Sequence, residues 1–142
     1  MPRHNRSAKR RADKLSLLGS NRTVYPSKPE DARLETFANP NSRDYTIRMD
    51  TEEFTSLCPI TGQPDFAKLT ITYIPRERCI ESKSLKLYLF SFRNTGMFFE
   101  AVTNRILDDL VRALQPKWME IEGRFNRRGG IDFTVTATHG TR

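Results

Sequence analysis

The residues best suited to chemistry in this chain are Cys58 and Asp65, joined by the run Pro59-Ile60-Thr61-Gly62-Gln63-Pro64. A cysteine works as a nucleophile in its thiolate form, which requires an acid–base partner and an exposed, well-placed backbone. Two prolines and a glycine within eight residues leave few backbone conformations, so the loop can hold thiol and carboxyl across one substrate. The sulfur would then attack an electrophilic carbon while the carboxyl group passes protons to and from the adjoining atoms. The competing reading is a small buried residue in a turn before a strand.

A second candidate is Glu81-Ser82-Lys83-Ser84-Leu85-Lys86-Leu87-Tyr88. If it opens a helix, Lys83 and Lys86 lie three apart on one side, next to the free N–H groups of the helix terminus, which suits a phosphate. An ordinary solvated helix start capped by Ser82 explains the same spacing. Glu100 falls in the first turn of a longer helix, where a carboxylate is mildly favoured or can turn into a pocket toward a guanine-like N–H edge. Arg124 and the turn Arg127-Arg128-Gly129-Gly130 either meet a phosphate or face solvent. Cys79, in a charged loop, reads as structural or exposed. The soft metal ligands Cys58, Cys79, His4 and His139 include no close pair, so no metal is expected. A Cys58–His139 dyad stays open beside a solvated terminal histidine.

These residues must be positioned by a small set of elements. Tyr45 to Met49 alternates like a half-buried strand, and a loop is expected from there through Phe54 to Asp65. Ala67 to Ile74 is the strongest strand, closed by Pro75. Ser82 to Phe92 fits either period: Leu85, Leu87 and Leu89 alternate, whereas Leu85, Tyr88, Leu89 and Phe92 have helical spacing. Phe98 to Leu114 carries one apolar stripe (Val102, Ile106, Leu107, Leu110, Leu114) with Asp108, Asp109 and Arg112 opposite, and ends at Pro116. Trp118 to Glu122 and Ile131 to Val135 read as a hairpin around Asn126 to Gly130. The order predicts an α+β domain with an antiparallel sheet covered on one face.

At 142 residues, with 37% hydrophobic and 29% charged side chains, the chain has the size of one domain. Of the net charge of +7, residues 1–14 hold +5, so the basic balance belongs to a tail. We divide the chain into a basic, largely mobile arm (1–42) and a catalytic domain (43–142), the arm ordering near the domain by packing Val24, Tyr25, Leu34 and Phe37 across a neighbour. No apolar run is long enough to span a membrane, and Leu15, Leu17 and Leu18 are too few for a signal-peptide core, so a cytoplasmic protein with reduced cysteines is expected.

Cys58-Pro-Ile-Thr-Gly-Gln-Pro-Asp-Phe66, Tyr73-Ile-Pro75, Glu81 to Tyr88, Ser91-Phe-Arg-Asn94 and Arg128-Gly-Gly-Ile131 occur in an order and spacing that resembles the QueF family of NADPH-dependent 7-cyano-7-deazaguanine reductases, in its short single-domain form. The match spans roughly residues 43 to 138. The resemblance implies a tunnelling fold, an antiparallel sheet with two helices on one face. It also implies ring-shaped homo-oligomers with active sites at subunit interfaces, and a helix after Glu81-Ser82-Lys83. It further implies reduction of a nitrile to a primary amine with two NADPH for the queuosine modification of tRNA. Carried over residue by residue, Cys58 is the nucleophile forming a thioimide and Asp65 the proton donor. Ile80, Glu81, Ser82, Phe99 and Glu100 bind substrate, and Lys83 and Lys86 belong to the NADPH run. Phe99 departs from the family pattern, which usually has histidine before that glutamate. The alternatives are a same-fold enzyme that forms the cysteine adduct but transfers an amine without redox chemistry, and an RNA-binding module built on the basic arm.

Overall fold

The computed structural model describes Ser16 and residues 23–142; the basic residues of the first fourteen positions, with His4, lie outside the described residues. Six strands and two helices follow one another: β1 (Thr36–Ala38), β2 (Ile47–Leu57), β3 (Pro64–Ile74), β4 (Arg78–Ile80), α1 (Ser82–Phe90), α2 (Phe99–Leu114), β5 (Trp118–Arg128) and β6 (Ile131–Gly140). The main sheet is antiparallel in the order β2-β3-β5-β6, and β1 pairs with β4 in a separate ribbon.

Alternation along β3 decides the layering. Asp65, Ala67, Leu69, Ile71 and Tyr73 are buried on one face, while Phe66 and Lys68 on the other are exposed. The apolar face packs under the helices. Val102, Ile106, Leu110 and Leu114 of α2 are at most 1% exposed and rest on β5 and β6, so the predicted stripe is the buried one. The helix stops where Gln115 turns left-handed (φ 48°) ahead of Pro116.

The ambiguous segment is a helix, and side-chain contacts show why. The Glu81 carboxylate caps it by accepting the N–H groups of Lys83 (2.6 Å) and Ser84 (2.7 Å), so the N-cap is Glu81 and not Ser82. Tyr88, one turn beyond Leu85, is buried, and its hydroxyl donates to Asp109 of α2 at 2.5 Å. That bond and the apolar surroundings hold the Tyr88 phenol far above its ordinary pKa, burial being the larger cause. Asp109 is therefore turned toward α1 and is not on the solvent side, whereas Arg112, which also pairs with it, is exposed.

Three further expectations are corrected. The stretch through Phe54 is strand, not loop: β2 runs on to Leu57, a register shift between Thr51 and Phe54 preserves the pairing, and Phe54 lies in the core. Paired structure begins before Tyr45, since β1 is held to β4 and the Glu35 N–H donates to the buried Ser84 hydroxyl at 3.0 Å. The hairpin is longer and its turn tighter than expected. It has only Gly129 (φ 54°) and Gly130 (φ 76°) at its tip, the two positive angles a type I′ turn requires. Of the four arm residues, Leu34 packs against the core and Tyr25 meets Phe90 of its own chain edge-on while staying exposed, as are Val24 and, within β1, Phe37.

Candidate active site

The Cys58 loop closes the β2–β3 hairpin. The Cys58 N–H donates to the Gln63 carbonyl at 2.8 Å, and the Cys58 carbonyl accepts the Gly62 N–H at 2.9 Å. Such a tight turn points the Ile60 and Thr61 N–H groups inward at the sulfur. Hydrogen bonding from the Thr61 hydroxyl and from the Thr61 and Ile60 N–H groups lowers the thiol to about 7; burial opposes it, and the Arg128 guanidinium adds a smaller lowering. Cys58 is half-buried and reduced, as an accessible nucleophile must be.

Asp65 is the second residue of β3 and only 4% exposed. Burial pushes its carboxyl above the usual carboxylate range, and the Arg128 guanidinium, in ion pair with it, pulls the other way. Opposite Asp65 in the ladder stands Ser56, fully buried, with no hydrogen-bond partner for its hydroxyl among the described residues. A thiol with its pKa drawn down beside a carboxyl with its pKa drawn up is an acid–base pair whose values converge.

The segment leading into α2 joins the same end of the sheet, because the Leu57 N–H donates to the Thr95 carbonyl and the Met97 N–H to the Leu57 carbonyl. Phe99 stacks on Phe125 with ring centroids 4.0 Å apart and meets Phe133 edge-on at 5.1 Å. Glu100, one residue on, is exposed. Cys58, Asp65, Phe99 and Glu100 therefore share one end of the chain.

Ile80 lies toward the other end of β3, whereas Ser82 and Lys86 line a cavity with Phe54 and Ile71, partway along the sheet. The Ile80 N–H donates to the Tyr73 hydroxyl at the far end of β3. Eight residues separate Tyr73 from Asp65, roughly 26 Å along an extended strand. Within the run Glu81 to Tyr88, Glu81 caps, Ser84 clasps the segment before β1, and Leu85, Leu87 and Tyr88 are core. Ser82, Lys83 and Lys86 remain reachable. The expected free N–H groups at this terminus are corrected, because Glu81 occupies two of them. Among the described residues neither Lys83 nor Lys86 is in an ion pair. A cavity of about 260 Å³ between α1 and β2 is lined by Ser82, Lys86, Met49, Phe54, Leu89 and Phe90. Its walls are mainly apolar, its polar rim sets the single cation Lys86 against the carboxylates of Asp50 and Glu53, and its space is too small for a whole dinucleotide.

His139 is exposed on β6 opposite Met119, toward the Trp118 end of the ladder, so the Cys58–His139 dyad is not formed. Cys79 is buried in β4, its sulfur 3.7 Å from the Tyr45 hydroxyl, which makes it structural. Among the described residues no group of three potential ligands surrounds a metal, and no helix is long and apolar enough to cross a membrane. Sequence reasoning missed Thr61 and Ser56, and it placed Arg128 at a phosphate or in solvent instead of at Asp65. Ser56 carried a usable signal, since it lies two before Cys58. The partner of Arg128 carried none, because the contact crosses 63 positions.

A family model described as QueF-like protein matches residues 64–142. Three relatives bear the name NADPH-dependent 7-cyano-7-deazaguanine reductase. The one from Anaeromyxobacter sp. (strain Fw109-5) is 59% identical over 119 residues, covering 82% of this chain and 96% of its own. That from Halorhodospira halophila is 62% identical over 107 residues (75% and 91%), and that from Nitrosomonas europaea 58% over 118 (82% of each). Among solved structures, the apo form of the archaeosine synthase QueF-Like superimposes with a TM-score of 0.64 over 68% of this chain and 95% of that one; at 23% identity it shows the shared fold. Identity near 60% over most of both chains, together with the family-model match, means that this chain belongs to the QueF family of NADPH-dependent 7-cyano-7-deazaguanine reductases.

Proposed function

We propose that this chain reduces the nitrile of 7-cyano-7-deazaguanine to the aminomethyl group through a thioimide on Cys58, supplying the queuosine modification of tRNA. The observation that carries the reading is a half-buried thiol lowered to about 7 at the same end of the sheet as a buried Asp65 whose carboxyl is raised by burial. A nitrile carbon accepts hydride poorly. Addition of the Cys58 thiolate, with Asp65 giving its proton to the nitrile nitrogen, turns it into a thioimide that accepts hydride readily. The loop donors that stabilise the thiolate also make the sulfur a good leaving group once the carbon is reduced, and expulsion yields the imine that the second reduction converts to the amine. NADPH, when bound, supplies both hydrides, and Lys83 and Lys86 are the cations available to its phosphates. Glu100 is exposed at the same end as Cys58 and is suited to the N–H edge of the purine-like ring.

The separation of roughly 26 Å along β3 supports a site shared between subunits. Ile80, Glu81 and Ser82 of one chain would complete the Cys58 end of another, in a homo-oligomer of tunnelling-fold subunits closing as a ring. Each oxygen of the Glu81 carboxylate spends one lone pair on capping and keeps another for substrate. Nothing in this chemistry calls on nucleic acid, a membrane or a metal.

The decisive assay follows NADPH absorbance with the nitrile present. Two equivalents oxidised per nitrile is the expected result; adduct formation and amine transfer with no oxidation would overturn it. Phe99 gives a second expectation. A histidine there would restore a proton-carrying ring, so Phe99→His is expected to raise kcat severalfold. It would also lose about 1 kcal/mol of stability with the Phe125 stack, read from a denaturant titration. Unchanged or lower turnover would show a site adapted to phenylalanine.

A further inference from the structure

Between Phe125 and Arg128, β5 advances three residues while β6 advances two, from Phe133 to Ile131. Strict alternation from Phe125, which faces the helices, would send Arg128 to the open face. The extra residue of the bulge reverses that and turns Arg128 to the helix side, the face that Asp65 occupies. There the guanidinium pairs with the Asp65 carboxylate and donates to the Pro64 carbonyl at 3.3 Å, and it adds the smallest of the influences that lower the Cys58 thiol. Its neighbour Arg127 instead forms a surface pair with Asp132 at 2.7 Å. A basic pair that reads as one solvent-facing hairpin tip is thus split by a bulge into an inward and an outward cation.

We propose that Arg128 is a positioning residue of nitrile reduction, a fixed cation shared by Cys58 and Asp65 that neutralises whichever of them is negative as the thioimide forms. The inference rests on the reading of Cys58 as nucleophile and Asp65 as proton donor. Before addition the pair is thiolate plus carboxylic acid. The sulfur–carbon bond forms, one π bond of the nitrile opens onto nitrogen, and the Asp65 proton passes to that nitrogen. The products are a neutral thioimide and the Asp65 carboxylate. One negative charge has moved from sulfur to carboxylate oxygen without oxidation or reduction, and both positions lie against the same guanidinium. A fixed cation beside both needs no reorganisation during the step.

The ionisable groups at this end of the sheet are Asp65 from β3 and Arg128 from β5, paired with each other. Ser56 on β2, Thr61 in the loop, Ile131 on β6 and Thr95 to Met97 ahead of α2 are neutral, and Glu100 opens α2 with its side chain exposed. Lowering of the thiol by a cation means that thiolate is present above the folded pKa, so its removal must raise the pH at which reactivity appears.

The test is the rate of Cys58 alkylation by iodoacetamide against pH, with Cys79→Ser as background, alongside the rate of mass-detected adduct formation with the nitrile alone. In Arg128→Gln the alkylation midpoint should rise above about 7, and adduct formation at pH 7 should slow severalfold. Arg128→Lys keeps the charge and should recover part of both. Arg127→Gln should leave the midpoint where it is. An unmoved midpoint in Arg128→Gln, or an equal shift in Arg127→Gln, would overturn the proposal, as would a raised KM for NADPH with the midpoint unchanged. If Arg128→Gln fails to fold, an Arg128→Lys midpoint identical to wild type with slower adduct formation supports geometric positioning, and no change in either overturns it. Absence of any adduct in the wild-type chain would instead defeat the Cys58 reading, and the alkylation profile would still report on Arg128.

Discussion

Incubated with 7-cyano-7-deazaguanine and no NADPH, the wild-type chain is expected to gain the mass of one nitrile, and Cys58→Ala to gain none and to lose turnover by at least about 10⁴-fold. The size follows from the chemistry. Without sulfur addition the carbon stays a nitrile, and neither Asp65 nor Arg128 supplies another nucleophile. Cys79 cannot substitute, because it is buried in β4, which pairs with β1 away from the Cys58 loop. Asp65→Asn is a graded version of the same measurement: the nucleophile remains, but the proton that must reach nitrogen is missing, so adduct formation is expected to slow by about 10²-fold or more. An adduct that survives in Cys58→Ala would remove the thioimide from the mechanism.

Mixing two inactive variants is expected to restore activity. Cys58→Ala lacks the nucleophile, and Glu81→Gln keeps an oxygen for capping α1 but loses the carboxylate offered to substrate. If each site takes Cys58 from one subunit and Glu81 from its neighbour, random co-assembly leaves both residues wild-type in about a quarter of the sites. Activity in the mixture should approach that fraction of wild type after the variants are unfolded and refolded together. A co-assembled mixture as inactive as its components would place the whole site in one chain, contrary to the span of β3. That span is the physical ground for the prediction, since no fused two-ring heterocycle bridges roughly 26 Å.

Much of the fold was legible because local patterns and tertiary contacts agreed. The β3 alternation and the α2 stripe are periodic over long stretches, and their apolar faces are the ones buried. Legibility failed where a polar residue does tertiary work. Thr51 to Phe54 breaks alternation because the β2 register shifts there, so the strand reads as loop. Asp109 reads as solvent-facing because nothing in its own helix reveals the Tyr88 hydroxyl of another.

From its residues alone the chain declared its α+β order and offered Cys58 and Asp65 as a candidate pair, because a stiff loop of few conformations sets the spacing of thiol and carboxyl. It also declared its family, through runs whose order survives without knowledge of contacts. Three things waited for the folded molecule. One was which members of the Glu81 run are structure and which are reachable, since capping and burial depend on what packs against α1. Another was that Asp65 and Ile80, both assigned to the site by the family resemblance, lie toward opposite ends of β3, since distance along a strand appears only once the strand's register is known. The last was Arg128 at the Cys58–Asp65 pair: one extra residue in a strand reverses the face of the side chain after it, and only the pairing of β5 with β6 reveals that residue.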